Sequence, residues 1–192
     1  MPMSEIFEFY GLKMSQMPKK HVNRYSGQLL IVGSARCVWD DIKLLNFGDI
    51  DAQVMTVNDM VMHYPKPVKH CYSNSASELS IWSQARRKYL NQDVLKHSCN
   101  PGEEYWPLPG HGTSSLNACF VGLAMGYDSI ILAGIPLDNT GHYFDPPWIK
   151  SNFQREVPER DGLRWWKDAM EHVFQGKVKS VSGRTRDLLG GI

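Results

Sequence analysis

The run Gln28-Leu29-Leu30-Ile31-Val32 is apolar on both alternations and stops at Gly33-Ser34, the pattern of a strand covered on both faces. From Ala35 to Asn46 the apolar positions change period: Val38, Trp39, Ile42 and Leu45 fall at helical spacing, and Phe47-Gly48 offers a stop. The cycle repeats. Ala52-Gln53-Val54-Met55-Thr56-Val57 is rich in β-branched residues and ends abruptly at Asn58-Asp59. Val68 to Tyr72 is a weaker strand behind Pro65 and Pro67, and Ser77 to Leu90 reads as an amphipathic helix ending in Arg86-Arg87-Lys88. That basic run suits either a solvated helix end or a phosphate contact. Val94 to His97 reads as a short strand before the loop Asn100-Pro101-Gly102. Leu116 to Met125 is an apolar helix stopped by Gly126, and Ser129 to Ala133 is a fully apolar strand ending in Gly134-Ile135-Pro136. A loop from Asp138 to Trp148, a helix around Leu163 to Phe174 and a strand around Val178 to Val181 follow.

This alternation predicts an α/β fold: a Rossmann-like three-layer domain with a mainly parallel sheet, helices on both faces and right-handed crossovers. Residues 27–192 form that single nucleotide-binding domain, with residues 1–26 an N-terminal extension of mixed Met, Pro, Lys and aromatic content. A length of 192 residues suits one sizeable core, and 42% apolar with 21% charged residues excludes disorder and fibrous repeats. The net charge of +1 gives no global attraction to nucleic acid or anionic lipid, so a nucleic-acid partner is compatible with the chain but not signalled. Cys37, Cys71, Cys99 and Cys119 are scattered without metal-ligand or disulfide spacing and read as reduced core thiols. The opening residues resemble no targeting peptide and no apolar run is long enough for a membrane span, which places the chain by default in the cytoplasm.

In open parallel sheets ligands bind beyond the carboxyl ends of the strands. Gly33-Ser34-Ala35-Arg36, Asn58-Asp59, Gly134-Ile135-Pro136 and the helix start Gly112-Thr113-Ser114-Ser115 all fall there. Helix N-termini offer free amides and glycine lets a phosphate approach, so two such starts facing one cleft suit a diphosphate. Neither a GxGxxG nor a Walker loop is present. Each element has a plainer use: Gly33-Ser34 as a tight turn, Thr113 or Ser114 as a helix N-cap, Asn58 as a turn residue.

Gly33-Ser34 after the first strand, Asn58 after the second, Thr113-Ser114 before a small-residue helix and Leu123-Ala124-Met125-Gly126-Tyr127-Asp128-Ser129-Ile130-Ile131-Leu132-Ala133-Gly134-Ile135 together resemble the bacterial sialyltransferase family. They equally resemble the group containing motility accessory factors and archaeal pterin pyrophosphokinases. The resemblance spans Leu29 to Leu189, with Thr113 to Ile135 its specific part. It implies a pocket for an activated nucleotide, commonly a CMP-sugar in the sialyltransferases, lined by Gly33, Ser34, Asn58, Thr113, Ser114 and Gly134. Three places depart from the family pattern: Ala35-Arg36-Cys37 stands where a second glycine and Pro-Ser are usual, Ser115 replaces a glycine, and Pro136 replaces an acidic residue with Asp138 nearby.

Glycosyl transfer needs a base for the acceptor hydroxyl and donors for the phosphate leaving group. His142 fits the first task, with Tyr143 as a hydrogen-bond donor to the phosphate and Asp145 or Asp138 orienting the ring; His111, just before the helix start, is the rival base. Aromatics crowd the same region, namely Tyr105, Trp106, Tyr143, Phe144, Trp148, Trp165 and Trp166, where they can stack on a sugar or pack the core. Ser182-Gly183-Arg184-Thr185-Arg186 suits either an anion contact or a flexible basic tail. The expected function is a transferase using a CMP- or UDP-linked sugar donor, without a required metal, on a saccharide or small-molecule acceptor. The alternatives are an ATP-dependent pyrophosphokinase or phosphotransferase, and a non-catalytic nucleotide-binding or assembly module.

Overall fold

The computed structural model describes residues 14–46, 51–102, 104–108, 113–138, 140–148 and 159–192. Seven strands form one sheet: β1 (Gln28–Val32), β2 (Ala52–Val57), β3 (His70–Tyr72), β4 (Leu95–Ser98), β5 (Glu104–Tyr105), β6 (Ser129–Ala133) and β7 (Val178–Ser180). Their spatial order is β5-β4-β3-β2-β1-β6-β7 and every pairing is parallel. The helices are α1 (Val38–Leu44), α2 (Met60–His63), α3 (Ala76–Leu90), α4 (Ser114–Met125), α5 (Glu159–Ala169), which runs into a π-turn over Met170–Phe174, and α6 (Gly183–Leu189). Among the described residues no helix is long and apolar enough to cross a membrane.

Strand alternation feeds two cores. Leu29, Ile31, Met55, Val57, Ile130 and Leu132 face α4, Trp166 and Phe174; Leu30, Val32, Val54, Ile131 and Ala133 face Val38, Leu45, Met60 and Tyr64. Covering both faces is what allows β1 and β6 to be apolar at successive positions, from Leu29 to Val32 and from Ile130 to Ala133. Helix α4 is buried from Ser115 to Met125 and lies against the sheet so closely that a Cβ at Gly122 would sit 2.7 Å from Leu29 Cδ2. Gly126, at φ +103°, ends it in the left-handed region.

Short elements depart from the periodicity. Helix α2 and strand β5 are too brief to show a period, and β3 begins at His70 rather than Val68. The basic run on α3 divides: Arg87 and Lys88 are solvated, whereas Arg86 is 1% exposed. Its guanidinium donates to the carbonyls of Val61 (2.8 Å), Tyr64 (2.8 Å) and Lys66 (2.7 Å) and to Gln92 Oε1, tying the end of α2 to α3. Nor is the C-terminal stretch a loose tail, since Thr185 is buried in α6 and its hydroxyl donates to Ile135 O at 2.6 Å. All four cysteines are free thiols.

A chain of polar groups, buried except at its last member Gln53, crosses β4, β3 and β2. Trp106 Nε1 can only donate, and it reaches His97 Nδ1 at 3.1 Å; His97 Nε2 therefore carries the proton that goes to His70 Nδ1, also 3.1 Å away. His70 Nε2 then donates to Tyr127 Oη (2.9 Å), whose proton goes to Gln53 Oε1 (2.6 Å). Both imidazoles are thus neutral, each with one assigned tautomer. Burial, reinforced by His21 and Lys69, lowers His70 to about 3, and burial lowers His97 well below its ordinary value.

A histidine whose folded pKa is depressed stabilises the fold above its unfolded pKa of about 6.5 and loses that contribution as pH falls below it. Thermal unfolding should show a constant Tm above pH 7 and a decline already under way between about pH 6.5 and 5, before carboxylates titrate. A Tm that stays level down to pH 5 contradicts a neutral histidine pair.

Candidate functional site

Beyond their last paired residues β1 and β6 remain in backbone contact. Gly33 N–H donates to Ala133 O (2.9 Å) and Ala35 N–H to Gly134 O (3.2 Å). A Cβ on Gly33 would stand 2.5 Å from Gly134 O, and one on Gly134 would stand 2.5 Å from Gly33 O; Gly134 also has φ +66°. Asp41 of α1, 2% exposed, holds this crossing from below by accepting Gly134 N–H and Ser182 Oγ–H, each at 2.8 Å. Cys37, beside that carboxylate, is pushed up to about 12 mainly by burial, so its thiol is no nucleophile at neutral pH.

The loop after β6 folds back over this crossing. Tyr143 N–H donates to Ser34 O (2.9 Å), Arg36 N–H to Gly141 O (3.2 Å), and Ala35 and His142 form an antiparallel bridge. The Arg36 guanidinium binds the carbonyls of Thr140, Asp145 and Pro146, which makes it a loop anchor. The result places His142 Nδ1 2.7 Å from Ser34 Oγ, which in turn donates to Asp59 Oδ1 at 3.4 Å. The expected orienting role of Asp145 and Asp138 on the ring takes a different form. Asp145 Oδ2 accepts the backbone N–H of His142 (3.0 Å), and Asp138 accepts from Thr140 N and Oγ1. Both carboxylates shape the loop, while the ring is held by Ser34 and by Phe144, stacked on it at 5.1 Å and 5°. Tyr143 packs edge-on against Trp39 and His63, and burial with Asp59 nearby raises its phenol, keeping it a proton donor.

The ends of β2 and β3 and the start of α4 complete the edge. Asn58, at φ +55°, donates its N–H to Tyr72 O (2.9 Å) and accepts from Ser73 Oγ (2.9 Å). Asn74 N–H donates to Ser114 Oγ (3.3 Å), and its Oδ1 accepts from Tyr72 Oη (3.1 Å) and Asn117 Nδ2 (3.0 Å). Thr113 is the N-cap of α4, its hydroxyl accepting from Leu116 N–H (3.2 Å) and lying 2.8 Å from Ser115 Oγ. Beyond Asn74 a pocket of about 350 Å³ opens between α3 and β4, lined by residues including Ser77, Ser80, Lys96, His97, Ser98 and Gly102.

The sequence-derived residues therefore separate into a group at Ser34, Asp59 and His142 and a group at Asn58, Thr113, Ser114 and Ser115, with Asn58 and Asp59 adjacent in the chain. His111 and Gly112 lie outside the described residues, so the pairing of the Gly33 and Gly112 turns has no described geometry. Ser73, Asn74 and Asn117 were missed. Ser73-Asn74 follows a strand as Asn58-Asp59 does, which was the available signal; Asn117 is a fully buried amide in an otherwise apolar helix. Of the aromatics, Trp106 and Trp166 are core residues, while Tyr105, Phe144 and Trp148 are exposed.

No family model matches the chain, and no curated protein matches it. Solved structures do. The sialyltransferase CstII from Campylobacter jejuni, in complex with the substrate analogue cytidine-5'-monophosphate, superposes with a TM-score of 0.59 at 15% identity over 85% of this chain and 84% of that one. The two share a fold. A second CstII structure, with trisaccharide acceptor and CMP, matches at 13% identity and a TM-score of 0.43, covering 85% of each chain. The MAf glycosyltransferase from Magnetospirillum magneticum AMB-1 matches 68% of this chain and 25% of its own at 17% identity and a TM-score of 0.40. These last two scores are too low to carry an argument.

The crossing at Gly33 and Gly134 yields a direct test. Gly134→Ala adds a methyl at positive φ that meets both Gly33 O and the Val38 side chain, and it should destabilise the fold by about 2 kcal/mol or more in urea unfolding. A change below about 0.5 kcal/mol would show that the two strand ends are not in contact.

Proposed function

We propose that the chain is a nucleotide-sugar-dependent glycosyltransferase, with the nucleotide seated along the carboxyl edge of the sheet. The observation that carries this reading is the near-continuous polar row Ser114, Asn74, Ser73, Asn58, Asp59, Ser34 and His142, spanning the start of α4, three strand ends and the loop after β6. The shared fold with a structure that holds CMP supports it.

Each part has a task in the reaction. The N-terminus of α4, with the hydroxyls of Thr113 and Ser114, offers dipole and donors to a phosphate. Asn58 and Asn74 have their Oδ1 atoms occupied by protein donors, which orients their amide groups as donors toward a nucleotide. Gly33 and Gly134 leave the crossing bare of side chains, so a ligand can approach backbone there. The pocket beyond Asn74 is at the lower end of the size range for small-ligand sites. His142 removes the proton of an acceptor hydroxyl as that oxygen bonds to the anomeric carbon. The bond from that carbon to the donor phosphate oxygen breaks, and the nucleotide leaves with the electron pair. Tyr143, protonated, donates to the departing phosphate. The acceptor is a saccharide or a small hydroxyl-bearing molecule.

Calorimetric titration with CMP, UDP and ATP tests the reading. CMP or UDP should bind, Asn74→Ala should weaken binding about tenfold, and His142→Ala should leave nucleotide affinity within about twofold while lowering transfer by about a hundredfold or more. Absence of binding to all three nucleotides, or affinity indifferent to Asn74→Ala, contradicts it.

A further inference from the structure

We propose that Ser34 and Asp59 are positioning residues that lock His142 in the tautomer protonated at Nδ1, leaving Nε2 as its basic nitrogen. The proposal rests on the reading of His142 as the base. Ser34 is 8% exposed and its hydroxyl has one proton to give, with two neighbours to satisfy: Asp59 Oδ1 at 3.4 Å and His142 Nδ1 at 2.7 Å. A carboxylate only accepts, whereas a neutral imidazole nitrogen donates or accepts according to tautomer. If Ser34 gave its proton to His142, its oxygen lone pairs would face those of Asp59. The assignment without that repulsion sends the hydroxyl proton to Asp59 and the Nδ1 proton to Ser34 Oγ. The 3.4 Å contact is loose, so Asp59 sets the direction of the hydroxyl while Ser34 supplies the grip.

The backbone keeps these three groups together. Ser34 O accepts from Tyr143 N–H, Ala35 bridges to His142, and the carboxylate of Asp145 accepts the His142 backbone N–H. The stack on Phe144 fixes the plane of the ring, with His63 on Phe144 as well, at 5.2 Å. The Arg36 guanidinium is engaged with the backbone carbonyls of this loop. When Nε2 takes the acceptor proton, Nδ1–H stays on Ser34 and the imidazolium has a carboxylate one hydroxyl away; Asp59 gains no proton. Ser34 is not a nucleophile in this arrangement. Its own proton points at Asp59, and the neighbouring amides of Ala35 and Arg36 are spent on Gly134 O and Gly141 O, leaving neither to stabilise an oxyanion.

Imidazole ¹H–¹⁵N spectra of the full chain labelled with ¹⁵N-histidine, recorded near pH 8, test this, with the His142 signal identified by its loss in His142→Gln. The expected result is a proton on Nδ1 of His142 in the wild type. Ser34→Ala should move the population to Nε2–H and lower kcat at least about tenfold, with KM for the nucleotide sugar within about twofold, and Ser34→Thr should restore both. Asp59→Asn should give a mixed tautomer. Wild-type His142 protonated on Nε2, or a tautomer unchanged in folded Ser34→Ala, overturns the proposal; if Ser34→Ala does not fold, the wild-type tautomer and Asp59→Asn decide. The spectra need no turnover, so a locked tautomer in a protein without transferase activity would sink the glycosyltransferase reading alone. Transfer with an unlocked histidine would sink this one alone.

Discussion

The meeting of two backbones, Gly33 at the end of β1 and Gly134 at the end of β6, is the constraint on which the rest of the edge depends. Each carbonyl occupies the place where the other residue's Cβ would be, so side chains are excluded from the crossing by sterics rather than by chance. The chain leaving β6 is thereby held against the chain leaving β1, and the loop from Asp138 to Trp148 has a fixed base from which to fold back. Asp41 makes the crossing rigid because a buried carboxylate accepts a backbone amide and a hydroxyl from two other segments. His142 reaches Ser34 as a consequence of this geometry, not through any local spacing between residues 108 positions apart.

A second division runs across the sheet. Toward β4 and β3 the polar groups are internal: Trp106, His97, His70 and Tyr127 each donate to the next in a single direction, and the chain ends on the exposed Gln53 as acceptor. Toward the carboxyl edge the polar groups are half-buried and only partly engaged. Asn58 and Asn74 accept from the protein through Oδ1, and Ser114 accepts a backbone amide. The first set supports specificity of the fold; the second leaves donors for a ligand. Arg86, which the sequence groups with the basic end of α3, belongs to the first set because it is buried and helix and loop carbonyls consume its donors.

The central strands were legible because two-sided burial writes continuous apolar runs, and β1, β2 and β6 have the expected bounds. Helix α4 was legible from its apolar content and the Gly126 stop. Helix α2 and strand β5 were not, because four and two residues carry no period. At the site, Ser34, Asn58, Thr113 and His142 could be named from strand ends and loop chemistry. Asn74 was missed although the expected strand Val68 to Tyr72 ends where β3 ends, because the polar pair Ser73-Asn74 after that short strand was not taken as a ligand position. The partner of the His142 ring was also hidden: sequence proximity favoured Asp145, but a side chain three residues away on a turn reaches the backbone amide more easily than the ring. Long-range partners such as Ser34 and Asp59 exist only once the parallel register is set.

The central claim is that a nucleotide lies along this carboxyl edge. It is tested most directly by mapping amide chemical-shift changes in the ¹⁵N-labelled chain as CMP is added. The account predicts shifts concentrated at Gly33 to Arg36, Asn58, Asn74, Thr113 to Ser115 and Gly134. Shifts confined to the opposite, amino-terminal edge of the sheet, or no shifts at millimolar CMP, would contradict it.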